Sequence, residues 1–548
     1  MRSTAGAVTG PGRLPRVSRS TLLRNGIVYS PADPFASAML VAGERIAWIG
    51  DEAGAGEHAA AADEVVDLGG ALVTPAFVDS HVHVLSTGLG ERGVDVGSAT
   101  SLPQFLDRLR RHARIHPGEP VHGQGWDEHA WPERRPPTRD EIDLAAEGAV
   151  VLLSRVDGHS SLISTALLER QPQIATADGY EGAIVRRQAQ TLARRAAERT
   201  IPDQTRREIH RSVLREAAAL GIGAVHEMAA PHINSEQDVR ALVAASADEA
   251  LPDVTVYWGE AGADGVRRAQ SLGAAGAAGD LTVDGSVGSR SAGLEEPYAD
   301  DPTTSGQLYL DVEAATDHVV ACTEARLQAG FHCIGDAAVR IAVTAIANAA
   351  QRCGEDAIAR ARHRLEHVEM ISPRLIDEMA RLGVVASVQP AFDAFWGGRD
   401  GMYATRLSAD RAATLNPFAA MARAGVGLAF GSDSPVTPLG GWDAVRAAAY
   451  HHNPEHRMSV RGAFLAATRG GWHAANVEDA GSLAPGMAAT YAVWDRATAQ
   501  NIPVAAGRSG LRPEGVVPGA DGMPDVSPGG PLPMCVRTVV RGRIVFER

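Results

Sequence analysis

Little in this 548-residue sequence points to a membrane, an oxidised scaffold or a nucleic acid. No run of about 18 apolar residues is present, the length a helix needs to cross a bilayer, and no charged region, apolar core and small-residue cleavage site follow one another as in a secretory signal. Only four cysteines occur, Cys322, Cys333, Cys353 and Cys535. None has CxxC or short-loop spacing, so they read as buried thiols of a cytoplasmic protein. Acidic residues outnumber basic ones, 66 to 52, for a formal net charge of -14. Phosphate backbones demand clustered basic side chains, which argues against nucleic acid as a partner. The glycine-rich GAAGAAGD (273–280) leads into a strand-like run instead of following one into a helix, so no nucleotide cradle is implied.

What the chain does have is apolar material, 45% of residues, and a length that suits one α/β barrel plus a smaller unit. Residues 1–20 carry four arginines and no acid, and read as a disordered lead-in. Short β-like runs with turn residues lie at both ends. Neither end is long enough for a core of its own, so residues 21–72 and 484–548 are expected to pair into one small β-sandwich. Between them, 73–483, β-rich runs alternate with Ala/Arg/Glu-rich helical stretches, the pattern of a parallel sheet. Eight candidate strands (71–83, 221–228, 254–259, 280–285, 331–336, 363–369, 384–390 and 427–433) are the number that closes a (β/α)8 TIM barrel. Residues 90–205 hold strand-like pieces of their own and read as a large insertion after the first strand, over the catalytic face. The Gly/Pro-rich stretch 501–533 reads as an irregular loop.

The chemistry-bearing residues fall at the carboxyl ends of these strands. His81 and His83 alternate onto one side of the first strand. His332 in FHCIGD and His367 in HRLEHVE each offer one inward imidazole, and Asp433 closes GLAFGSD, where an unpaired buried carboxylate is costly without a cation or donors. Each alone reads as a satisfied core histidine or a capping aspartate. Five on four strand ends read as a metal site. Imidazole and carboxylate together suit Zn2+, with Mn2+ or Fe2+ open, in one or two ions. Asp433 is placed to take a proton from an activated water and return it to the leaving group.

The chain resembles the amidohydrolase superfamily, specifically amidohydrolase family 3 and its N-substituted formamide deformylase-like and exoenzyme-like members. The resemblance is carried by TPAFVDSHVH, GWDEHAWPERRPPTRDEID, VDGHSSLIS, VDGSVGSRSAGLEEPYAD, FHCIGDAAV, RLEHVEM, SVQPAF, GSDSPV and GSLAPGMAATYAVWD. It implies metal ligands at His81, His83, His332 and His367 and a catalytic acid/base at Asp433. Relatives of this kind commonly carry a carboxylated lysine four residues before the Asp-Gly of the fourth strand, bridging two metals. Here that position is Asp280, which leaves two expectations: one functional metal, or a rearranged site in which Asp280 or Glu227 takes part. The likeness places Asp157 and His159 of the insertion at the substrate. Trp126 and Asp127 are candidates for the pocket wall, and Asp284 and Arg290 for substrate contacts. The expected reaction is metal-dependent hydrolysis of a non-peptide C–N bond in a small molecule, such as an N-substituted formamide or N-acyl amine. Ester, cyclic-amide or ring-deaminating chemistry stays open, as does a lapsed barrel serving as a binding protein. A homodimer is a family-level expectation.

Overall fold

The computed structural model describes residues 19–128, 131–156, 158–495, 497 and 523–548; residues 1–18 of the expected lead-in 1–20, Asp157 and most of the 501–533 stretch lie outside these described residues. At its centre is an eight-stranded parallel sheet: β1 (Phe77–Val82), β2 (Ile222–Ala229), β3 (Asp253–Trp258), β4 (Gly276–Ala277), β5 (Gln328–Cys333), β6 (Arg364–His367), β7 (Val385–Val388) and β8 (Gly427–Phe430). Each strand pairs with its neighbour in chain order. A parallel bridge between Val82, at the end of β1, and Ser434, just past β8, joins the two edges. The result is the (β/α)8 barrel that the alternation of strand and helix predicts.

The strands read as continuous apolar runs because both faces are covered: all six residues of β1 and all eight of β2 are buried. The helix Asp336–Cys353 shows the other half of the packing. Its small residues Ala338, Ala342, Ala345 and Ala349, at helical spacing, let the helix lie close against the sheet with Ile346 filling the core.

One strand departs from expectation. The run 280–285 is not β4, which occupies Gly276–Ala277 instead. Gly279 takes φ +79, a conformation that ends the strand, and an added Cβ there would stand 2.7 Å from the Met228 sulfur. Residues 281–283 then run beside β5, with His332 N–H donating to the Leu281 carbonyl (3.0 Å) and Val283 N–H to the His332 carbonyl (2.9 Å). This brings Asp280 to the barrel mouth.

Both chain ends meet in a second unit. A four-stranded sheet (Ser20–Arg24, Ala38–Ala42, Arg45–Gly50, Glu64–Asp67) faces a five-stranded one (Ile27–Val28, Leu72–Pro75, Tyr491–Trp494, Cys535–Val540, Arg543–Glu547). Leu23, Met39, Val41, Val73, Tyr491, Val493 and Val539 fill the space between. After β1 the chain builds a six-stranded sheet from Val94 to Arg186 with its own core around Phe105, Leu109, Trp131 and Leu153. No helix among the described residues is long and apolar enough to cross a membrane.

Candidate metal centre

Four strand ends and the loop after β4 converge on one point. His81 Nε2 lies 3.5 Å from both Asp280 Oδ1 and Asp433 Oδ1. His83 Nε2 lies 3.2 Å from Asp280 Oδ2 and 3.1 Å from Asp433 Oδ1. His367 Nε2 lies 3.9 Å from Asp280 Oδ1. Two triads therefore have ligand atoms within 4.8 Å of one another, His81/His83/Asp280 and His81/His367/Asp433. His332 sits beside them, its ring centroid 4.4 Å from that of His367, but belongs to neither triad.

The residues behind the cluster fix which nitrogen faces inward. His81 Nδ1 is 2.9 Å from Glu366 Oε2, and His367 Nδ1 is 2.7 Å from Gln389 Oε1. Both partners are acceptors, so each Nδ1 carries the proton and each Nε2 presents its lone pair. Burial disfavours the charge of Glu366, but the Arg364 guanidinium, 2.6 Å away, and His81 outweigh it and hold the carboxyl at about 2. Arg364 in turn donates to the Ser80 carbonyl (2.8 Å) and to Ser387 Oγ (2.9 Å), tying β1, β6 and β7 together inside the barrel.

The backbone is strained where these side chains turn inward. His367, Val368 and Asp433 have φ of +71, +50 and +56, a region that costs non-glycine residues about 1–3 kcal/mol each. It is held by Asp433 N–H donating to the His81 carbonyl (2.7 Å) and Val368 N–H to the Cys333 carbonyl (3.0 Å). His367 faces inward, but by another route than strand alternation. Strict alternation pairs His367 with Leu365, yet Leu365 joins the outer core, while Glu366 points into the barrel and His367 follows it there.

The atoms that face the centre are the ones left without partners. His81 Nε2, His367 Nε2 and Asp280 Oδ1 are buried and make no hydrogen bond. Orphaned nitrogen and oxygen lone pairs in one place are costly, and a divalent cation satisfies them together. Asp280, not Glu227, supplies the extra carboxylate. Glu227 instead accepts Val84 N–H (2.8 Å) and Asn234 Nδ2 (3.0 Å), and burial raises it to about 7. The chain contains no lysine at all; arginine supplies all 52 basic side chains, so no lysine carbamate can form anywhere in it.

The other expected residues divide. His159 lies 5.8 Å, ring to ring, from His332 and borders both cavities described below. Asp127 lines the smaller cavity, ion-paired with Arg155 at 2.7 Å, and Arg290 borders both, in a bidentate pair with Asp300 (3.0 and 2.7 Å). Trp126 is not a pocket wall: it is 1% exposed, packs in the insertion's core, and its indole N–H donates to the Leu153 carbonyl at 2.9 Å. Asp284 borders the larger cavity, 3.6 Å from His332 Nδ1. Its two oxygens accept Gly293, Ile334 and Gly335 N–H (2.8, 3.0 and 2.8 Å), which fastens the loop behind His332. Asp157 lies outside the described residues. The sequence reading missed His232, which borders the larger cavity and whose imidazole burial pushes down to about 4. Its signal was position, three residues past the end of β2 at the catalytic face.

The cluster stands where two cavities meet. One, of about 770 Å³, runs under the insertion and is lined by polar groups including Gln124, Gln190 and Arg194; the other, of about 470 Å³, is lined by Ile334, Phe392, Trp396 and Tyr403. His332, His367 and Asp433 border both.

The sequence pattern of the amidohydrolase family matches residues 64–546. The chain belongs to that family. Like other amidohydrolases it is a metal-dependent hydrolase acting on C–N bonds. It is similar to the protein LONG AFTER FAR-RED 3 of Arabidopsis thaliana, 27% identical over 519 residues, which cover 86% of this chain and 88% of that one. It is also similar to the N-substituted formamide deformylase of Arthrobacter pascens, 34% identical over 137 residues, 24% of this chain and 25% of that one. Among solved structures it resembles an uncharacterized metal-dependent hydrolase from Pyrococcus horikoshii, with 25% identity, a TM-score of 0.72, and coverage of 87% of this chain and 97% of the other.

The amidohydrolase barrel leaves no slack behind His81. A Cβ on Gly431 would stand 2.5 Å from the His81 backbone nitrogen and 2.7 Å from its Cβ. Gly431→Ala should therefore push the imidazole off the centre and weaken metal binding about 10–100-fold, the scale on which a support behind a metal-ligating histidine matters. Chelator competition measures this, and an unchanged affinity would remove His81 from the ligand set.

Proposed function

We propose that this amidohydrolase cleaves a non-peptide amide, an N-substituted formamide or N-acyl amine, using one tightly held Zn2+ and Asp433 as acid and base. The observation that carries the single ion is the overlap of the two triads: both depend on His81 Nε2, and His81 Nδ1 is committed to Glu366. One lone pair serves one cation. His81, His83, His367 and Asp280 would hold the ion, and His332, whose ring lies 4.4 Å from that of His367, completes the set. Imidazole with carboxylate is a donor set that Zn2+ favours. When bound, the metal supplies a Lewis acid that polarises a carbonyl and makes water acidic near neutral pH.

The protein's own part is proton handling and positioning. Asp433 Oδ1 faces the same centre as the imidazoles, 3.1 Å from His83 Nε2, within reach of a proton on an attacking water and of a departing nitrogen between the two cavities. It takes the first and delivers it to the second. The insertion supplies one side of the larger cavity, with Gln124, His159, Gln190 and Arg194. The local likeness to a formamide deformylase supports the amide reading. Chelation is expected to abolish hydrolysis of a panel of formanilides and N-acyl amines, Zn2+ to restore it, and metal analysis to return one equivalent per chain. Activity that survives complete metal removal, or two tight equivalents, would count against the reading.

A further inference from the structure

One histidine at the centre has no part in the chemistry derived so far. His232 follows β2 and borders the larger cavity together with His83, Asp280, His332 and Asp433. It stands close enough to the cluster for Asp280, His332 and His159 to act on its charge. Of the neighbouring imidazoles, His81 commits its Nδ1 to Glu366 and His367 commits its Nδ1 to Gln389. Among the described residues neither ring nitrogen of His232 has a hydrogen-bond partner, and neither is closed off inside the protein. Both are open to a guest in the cavity. Burial outweighs the pull of Asp280 and pushes the imidazole down to about 4, so at neutral pH the ring carries one N–H and one lone pair.

The turn that carries this ring is clamped from two sides. Ile233 and Asn234 N–H donate to the Ala230 carbonyl (2.9 and 3.1 Å), and Asn234 Nδ2 donates to Glu227 (3.0 Å) and Asp238 (2.9 Å), both buried carboxyl groups of the barrel. From the insertion helix Arg187–Glu198, Arg195 donates twice to the Pro231 carbonyl (2.9 and 2.7 Å) and Glu198 accepts Ser235 Oγ (2.6 Å). Arg206 joins the two clamps, donating to Glu198 at 2.9 Å and to Asp238 at 3.1 Å. What this support fixes at the cavity is a ring whose polar atoms the protein does not use. A precisely held side chain with free polar atoms is how a site meets a ligand.

We propose that His232 is a further catalytic residue, its ring N–H donating to the carbonyl oxygen of the bound amide and holding that oxygen as negative charge develops on it. The inference rests on the hydrolytic reading for the identity of the bound group. Asp433 serves the proton, and the oxygen that turns anionic is the reacting atom still without a protein donor. A donor fixed beforehand stabilises the growing charge without rearrangement.

The test pairs kinetics with binding on the zinc-loaded full chain. His232→Phe keeps a flat ring and removes both nitrogens, whereas His232→Gln keeps a neutral amide near the Nε2 position. On the panel of formanilides and N-acyl amines, His232→Phe is expected to lower kcat by about 10²–10³-fold, the cost of one lost oxyanion donor, with KM changed far less. His232→Gln should regain about tenfold of that loss, the worth of one hydrogen bond. Calorimetry with benzylacetone, a ketone that keeps the carbonyl and has no C–N bond to cleave, should show binding about tenfold weaker in His232→Phe and largely restored in His232→Gln. Because the ring has no partner in the free protein, His232→Phe should retain its zinc and its melting temperature. Overturning results are unchanged kcat and ketone affinity in His232→Phe, a Gln variant no better than the Phe one, loss of the zinc, which would make His232 a ligand, or a melting temperature lowered by more than about 2 °C, which would make it structural. Since the ketone arm reads no turnover, a parent that cleaves no amide while His232→Phe still loses the ketone sinks the hydrolytic reading alone. Amides cleaved equally well by parent and His232→Phe sink this one alone, and a parent that neither cleaves the panel nor binds benzylacetone sinks both.

Discussion

Asp433→Asn is expected to lower turnover by about 10²–10⁴-fold, the usual contribution of a positioned acid/base, while zinc stays bound. The substitution is isosteric, and it suits the backbone. Residue 433 has φ +56, a conformation that asparagine tolerates as well as aspartate does, so the chain need not move. The amide oxygen can still face His81 and His83, at the 3.5 and 3.1 Å now spanned by the carboxylate. What is lost is the ability to accept a proton and give it back. Excess zinc should therefore not rescue the variant. Steady-state kinetics with metal analysis decides the matter: retained turnover takes the acid/base role from Asp433, and lost zinc makes it a ligand first.

Most of the barrel was legible because parallel strands with two covered faces leave uninterrupted apolar runs, and seven of the eight lie close to their expected places. β4 was not, since LTVD looks like a strand while the conformation that ends the strand belongs to the glycine before it; only the φ of Gly279 shows where the sheet stops. That the cluster's histidines face the barrel mouth was legible from strand ends and two-residue alternation, a rule that holds for His81, His83 and His332. At His367 the rule fails, and a positive φ brings the ring inward by another route. Trp126 misled because its residue type serves pockets and interiors equally well, and whether its indole N–H is free depends on a carbonyl far away in sequence, that of Leu153. The supports of the imidazoles, Glu366 and Gln389, were hidden in the same way. Their side chains matter through partners on other strands, and periodicity within one strand does not reveal them.

The second large effect separates the two carboxylates of the cluster. Asp280→Asn is expected to weaken zinc binding by at least about 10–100-fold, the loss that even a supporting residue causes, and to lower turnover in step, with activity returning as zinc is raised. Asp280 lies 3.2–3.9 Å from three imidazole nitrogens, and its Oδ1 is buried with no hydrogen-bond partner. Burial disfavours its charge, yet the histidines around it hold the carboxyl well below the ordinary range, so it offers an anionic oxygen at neutral pH. Asparagine keeps the shape and removes that charge. The placement depends on close backbone contact rather than side-chain length: a Cβ on Gly259 would stand 2.7 Å from the Asp280 carbonyl carbon, so the loop after β4 presses in where a short side chain can reach the centre. A chain without lysine has no longer bridging group to use instead. Asp280→Asn should thus be rescued by zinc and Asp433→Asn should not, and titration of both variants with zinc under chelator buffering reads the difference. An Asp280→Asn protein that binds zinc as tightly as the parent would leave the ion to the imidazoles and Asp433, and the rearranged centre would have to be given up.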